Sequence, residues 1–237
     1  FTDIEDQKQV EKKKDEFMGI ASHELKTPLA AIKAYVQLLE REAAGKAPFS
    51  IYVNRTLTQV KKLDDLIAEL LDVSKLENGK LIFDKEYFDF DALIQIQIEM
   101  FKQSFPDYHI EREGIIGTHV YGNAARLEQV LVNFLNNAIK YSPDSKQIIL
   151  RTHLTSDHQA FVSVTDSGIG VSKDIQAKLF TKFYRAPQAT YSFQGMGIGL
   201  YICANIIHQH QGTYGIESEP GKGSTFYFSI PYKKANS

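Results

Sequence analysis

The chain has 237 residues, enough for one large or two modest domains with a proper core, and its 43% hydrophobic and 24% charged residues are those of an ordinary soluble protein. With 27 Lys and Arg against 29 Asp and Glu, the formal charge is −2, so nothing global points to nucleic acid or to an acidic membrane surface. The single Cys203 has no disulfide partner and no second thiolate for a metal site; it reads as a small core residue of "LYICANII" in a reducing compartment.

The chain opens on "FTDIEDQKQVEKKKDEF", without a starting Met, as a piece of a longer protein would. It carries no signal-peptide pattern, and no run approaches the ~18 apolar residues of a membrane span. A cytoplasmic chain, or the cytoplasmic part of a longer protein, is expected, with no membrane segment of its own. Residues 1–78 form the first region. Outside "AAGKAPFS" they hold one proline and few glycines. Met18, Ala21, Leu25, Leu29, Ile32, Val36 and Leu39 recur at helical steps, and Val53, Leu57, Val60, Leu63, Ile67 and Leu70 resume the pattern. "AGKAPFS" supplies the breakers and Ser50 a cap for the second arm, so the spacing predicts a helical hairpin with arms of roughly 40 and 27 residues. Two helices cannot bury such a stripe alone. Pairing with a second copy into a four-helix bundle would, so a homodimer is expected from burial.

Residues 79–237 form the second region. After "ENGK", strand-like runs ("KLIFDKEYF", "QIILRTHL", "AFVSVTD", "STFYFSI") interleave with helical ones ("DALIQIQIEMFKQSF", "AARLEQVLVNFLNNAIKY", "IGLYICANIIHQHQG"). The overall class is α+β: a helical hairpin, then an α/β sandwich with helices over one sheet.

Four segments carry chemistry. In "SHELKTPLAA", His23 lies about 200° around the helix from Ala21 and Leu25, on the outer face. Glu24 can take up its second ring N–H, and Thr27 shares its face one turn on. Pro28 removes one helical bond at a cost of ~3 kcal/mol. A lone exposed histidine is usually a bystander; these neighbours argue that the helix presents it. In "RLEQVLVNFLNNAIKYSP", Asn133 and Asn137 stack at i and i+4 off the apolar stripe, with Lys140 and Tyr141 one turn further. Amide oxygens suit a hard cation such as Mg²⁺, and a lysine suits phosphate. "VSVTDSGIGV" ends a strand at Asp166, which can accept from an exocyclic amine, while Gly168 and Gly170 admit a ligand to the backbone. "QGMGIGLYICANII" sets Gly195, Gly197 and Gly199 at the start of an apolar helix, whose free N–H groups form an anion site. Its G-x-G-x-G spacing, with the polar "APQATYSFQ" and no strand before it, excludes a dinucleotide-binding fingerprint.

Taken in order, these segments resemble the bacterial sensor histidine kinases of two-component systems. "SHELKTP" is similar to their phosphoacceptor box, "NFLNNAIKYSP" to the asparagine box and "DSGIG" to the first glycine box. "LFTKFYRA" is similar to the phenylalanine box, "GMGIGL" to the second glycine box, and "GSTFYF" to the closing segment. The resemblance implies a dimerisation and phosphotransfer hairpin followed by an ATP-binding domain of the Bergerat type. It implies ATP and Mg²⁺, with Asn137 as metal ligand, Asn133 assisting, and Lys140 and Tyr141 near the phosphates. Asp166 would bind the adenine amine with Thr225 supporting it through water, and Arg185 would approach the γ-phosphate. His23 would be the nucleophile, Glu24 its base, and Thr27 the residue that places water for a phosphatase reaction. The expected function is an ATP-dependent protein-histidine kinase that autophosphorylates His23 and passes the phosphoryl group to an aspartate of a response regulator. An ATPase of the same fold without phosphohistidine, or a non-catalytic dimeric scaffold, are the alternatives. Asn133 argues against the ATPase, because an amide cannot take up a proton from water.

Overall fold

In a computed structural model the described residues are 21, 24–39, 49–77, 83–186 and 196–232. The chain divides into two compact units, Phe1–Lys80 with Pro187–Ile198, and Leu81–Ala186 with Gly199–Ser237.

Helices dominate the first unit. Helix α1 covers residues 24–39 and continues through the buried Pro28. Helix α2, Phe49–Glu77, begins one residue before Ser50. Ser50 therefore sits inside the first turn rather than at the cap. Tyr35 of α1 and Tyr52 of α2 meet with ring centroids 6.5 Å apart. The single apolar stripe expected on each arm divides into two seams. Along α2, Leu66 and Val73 are buried, and Val53, Leu63 and Leu70 are partly covered. Leu57, Val60, Ile67 and Leu71 form a neighbouring seam that stays open, with Leu57 59% exposed. On α1, Leu29 and Val36 are open as well. Aliphatic side chains repeating at helical steps on two arms of one hairpin amount to an unburied coiled-coil face.

The second unit contains a five-stranded sheet. Its strands are β2 (His109–Glu113), β4 (Gln147–Leu154), β5 (Gln159–Asp166), β6 (Thr213–Glu219) and β7 (Gly223–Pro231), in the order β2-β4-β5-β7-β6. Only the β2–β4 pair is parallel. A separate two-stranded piece pairs β1 (Glu86–Asp89) with β3 (His119–Gly122). Three long helices, α3 (Phe90–Ser104), α4 (Ala124–Tyr141) and α6 (Gly199–Gln209), pack on the sheet, and a short α5 spans Lys173–Gln176.

The core forms where the period-2 pattern of strands meets the 3.6-residue pattern of helices. Ala160, Val162 and Val164 of β5 face the same side as Phe226, Phe228 and Ile230 of β7, and all are buried. Against them α4 presents Leu127, Val130, Leu131, Phe134, Leu135 and Ala138. Phe134 sits 5.4 Å from Phe226 and 6.0 Å from Phe228, with Phe90 of α3 closing on Phe228 at 6.3 Å. Asn123 caps α4, its side chain accepting from the Arg126 N–H at 3.0 Å. Asp89 does the same for α3, from Ala92 at 2.9 Å. Cys203 is a buried residue of α6.

Candidate functional site

Asp166 is the last residue of β5, and strand alternation turns it to the helix-covered side, where it is 3% exposed. Its Oδ1 accepts from the Gly168 N–H at 2.8 Å. Burial pushes its pKa up to about 6, against the opposing pull of the Gly168 and Ser224 backbone N–H groups. A carboxylate held at that cost is available to accept a hydrogen bond from a ligand donor.

The turn after Asp166 is fastened to the end of α4, since the Ile169 N–H donates to the Tyr141 carbonyl at 3.1 Å. A Cβ on Gly168 would collide with that carbonyl, so only glycine permits the approach. Gly170 has φ +65° and lies against the Glu219 carbonyl, with the same restriction. Thus Asp166, Gly168 and Gly170 are tied to the end of α4 that carries Lys140 and Tyr141.

On α4, Asn137 Nδ2 donates to Asn133 Oδ1 at 3.1 Å, which leaves the Asn137 amide oxygen to serve a cation. Gly199, the first residue of α6, lies so close to Asn133 Nδ2 that a Cβ there would overlap it. The Lys140 ammonium stands 5.1 Å from the Tyr141 ring centroid. Burial raises the Tyr141 hydroxyl pKa, and the positive charge of Arg185 pulls the other way, so Arg185 reaches the same end of α4. The unit thereby gathers Asn133, Asn137, Lys140, Tyr141, Asp166, Gly168, Gly170, Arg185 and Gly199 on elements that contact one another.

Thr225 is not brought to Asp166. Strand parity turns it to the opposite face of the sheet, where its hydroxyl sits 3.0 Å from that of Thr165. Ser224, directly opposite Asp166 in the β5–β7 register, shares its face and is buried. The sequence contained this signal. Phe226, Phe228 and Ile230 alternate as the core face of β7, and that parity assigns Ser224, not Thr225, to Asp166.

In the hairpin unit, Glu24 of α1 is buried and Thr27, three residues on, is exposed. His23 and Gly195 lie outside the described residues. Gly197 adopts φ +70°.

Residues 122–234 match the family model described as "Histidine kinase-, DNA gyrase B-, and HSP90-like ATPase", and residues 13–79 match "His Kinase A (phospho-acceptor) domain". The chain is 30% identical over 240 residues to the sensor histidine kinase WalK of Bacillus subtilis, covering 98% of this chain and 39% of that relative. It spans less than two thirds of the length of other curated relatives too. Among solved structures, Acinetobacter baumannii histidine kinase AdeS is similar with a TM-score of 0.67 and 25% identity, covering 90% of this chain and 98% of that one. A crystal structure of histidine kinase ThkA in complex with response regulator protein TrrA has the same fold, with a TM-score of 0.65 at 20% identity, over 98% of this chain and 68% of that one. With a phosphoacceptor region followed by an ATP-binding region along most of its length, the chain belongs to the sensor histidine kinases of two-component systems, whose catalytic core it carries.

Proposed function

We propose that the chain uses ATP to phosphorylate its own His23 and then passes the phosphoryl group to an aspartate on the receiver domain of a response regulator, acting as a homodimer. The observation that carries the nucleotide half is Asp166, a buried carboxylate whose pKa is pushed up to about 6, beside the glycine turn and the Asn133–Asn137 pair. The match of residues 13–79 to a phospho-acceptor domain supports the other half.

In this reading the division falls between a hairpin over 1–78 and an ATP-binding domain over 79–237. Asp166 accepts from the adenine amine, with Ser224 beside it on the same face. Lys140, Tyr141 and Arg185 attend the phosphates, and the N-terminal N–H groups of α6 offer a further anion site. The amide oxygen of Asn137 is a donor suited to Mg²⁺, which when bound neutralises phosphate charge. A neutral ring nitrogen of His23 forms an N–P bond to the γ-phosphorus as the bond to the bridging oxygen breaks, and ADP leaves with the electron pair. Glu24 takes the proton released from the ring. Positioning and charge neutralisation supply most of the rate. The regulator's aspartate then forms an O–P bond as the N–P bond breaks. Thr27 places a water for the reverse discharge of the regulator. The open apolar seam on α1 and α2 supports the dimer.

Incubation with γ-phosphate-labelled ATP tests the reading. Label that is acid-labile and base-stable should appear on the chain and vanish in His23→Gln. Equal labelling of the variant would overturn the assignment, and release of free phosphate with no covalent label would favour the ATPase.

A further inference from the structure

One buried imidazole outside the nucleotide site joins three elements. His210 follows directly on α6 and is 5% exposed. Its Nδ1–H donates to the Ile206 carbonyl at 2.7 Å, and its Nε2 accepts the N–H of Asn123, the cap of α4, at 2.9 Å. Only the neutral ring with its proton on Nδ1 satisfies both bonds. Burial holds the pKa down, and the nearby Lys85 charge acts in the same direction. Residues 83–85, which lead into the sheet unit, complete the junction. The Phe83 ring meets the imidazole edge-on at 5.7 Å, Lys85 Nζ donates to the Gln209 carbonyl at 2.6 Å, and Asn123 Nδ2 donates to the Asp84 carbonyl at 2.9 Å. At Gly122 a Cβ would press on the same ring at 3.0 Å.

The consequence lies in where the other ends of these helices go. Helix α4 runs from Asn123 to the Asn133–Asn137 pair and Lys140, and α6 begins at Gly199 against Asn133. Each helix has one end at the nucleotide site and the other at His210. We infer that His210 is a positioning residue for phosphoryl transfer: it fixes α4 against α6, and both against the lead-in segment, so that the asparagine amides meet the phosphates in one register. Adenine binding at Asp166 rests on β5, β7 and the C-terminal end of α4, the end away from His210, and none of the His210 bonds reaches them directly. Loss of the junction therefore acts on the rate at saturating ATP more than on affinity. This rests on the kinase reading above.

The test uses the full dimeric chain with His210→Asn and His210→Gln. An Asn amide reaches the position of Nδ1 and keeps the Ile206 bond; a Gln amide reaches the position of Nε2 and keeps the acceptor for Asn123. ATP affinity by calorimetry should stay within about threefold in both, while labelling at saturating ATP falls about tenfold in His210→Asn and is largely restored in His210→Gln. A wild-type rate in His210→Asn, a Gln variant no better than Asn, or affinity and rate falling together with the folded fraction overturns the inference. Failure of the wild-type chain to label while it binds ATP would overturn the kinase reading itself, a separable result.

Discussion

Asp166→Asn puts the cost of the nucleotide site on a measurable scale. The wild-type carboxyl titrates near 6 when folded, against an ordinary value of 3.8. Below 3.8 both states are protonated. Between 3.8 and 6 the folded chain holds a proton that the unfolded chain has lost, and above 6 both are ionised. The folded state thus binds more protons across that window, and stability falls as pH rises through it, by ~3 kcal/mol in total. Asn mimics the protonated side chain at every pH. It loses one acceptor site for the Gly168 and Ser224 N–H groups, which costs ~1 kcal/mol. The variant should be about 2 kcal/mol more stable than wild type at pH 8, equal to roughly 4–8 °C in melting temperature for a domain of this size. At pH 5 the wild type recovers ~1.4 kcal/mol, so the gap narrows by that amount.

Nucleotide binding should move the other way. Removing a charged acceptor from the adenine amine costs ~1.5–3 kcal/mol, or about 10- to 150-fold in affinity. Hydrogen exchange of β5 and β7 peptides reads the opening free energy of this unit apart from the hairpin, and calorimetry reads ATP. A variant less stable than wild type at pH 8, or a stability gap that does not shrink towards pH 5, would refute the account of Asp166 as a strained carboxylate. Unimpaired ATP affinity would remove it from the adenine site.

Strand parity separates two neighbours: Ser224→Ala should weaken ATP binding about 5- to 10-fold, while Thr225→Val, on the far face, should leave the calorimetric affinity unchanged. Thr27→Ala should still label on His23 but lose the ability to discharge a phosphorylated regulator, read as phosphate release from the regulator. Leu57→Glu places a charge in the open seam of α2 and should convert the dimer to monomer by light scattering at micromolar concentration; a dimer that persists would move the interface elsewhere.

Elements with strong periodicity were legible from the sequence. The apolar steps from Leu127 to Ala138 define α4, and the runs "QIILRTHL" and "AFVSVTD" are β4 and β5 almost residue for residue. The edge strands were not. In β2, "HIERE", only Ile110 is buried, and β6, "TYGIESE", has no buried residue. Their pairing comes from neighbours far along the chain, a long-range cause that a local pattern does not carry. The two seams of α2 merged into one stripe for a related reason: periodicity marks residues that need burial but not which surface covers them. Asp166 and the α4 amides were legible because each ends or punctuates a regular element. His210 was not, since its meaning depends on Asn123 and Phe83, 87 and 127 positions away.

The pair of amides on α4 explains why this arrangement suits transfer to histidine better than transfer to water. Activating water needs a group that can accept a proton at neutral pH. Asn133 is an amide whose oxygen already accepts from Asn137, and its nitrogen lies close to Gly199 at the start of α6. A side chain held in that way can orient Asn137 and seat the first turn of α6, but it cannot serve as a base. On the reading proposed above, the proton acceptor arrives with the nucleophile, and Glu24, next to His23 in the sequence, would provide it. On that reading the nucleotide site would hold and orient the phosphates without spending them on solvent, because the base it lacks would be Glu24, beside the nucleophile.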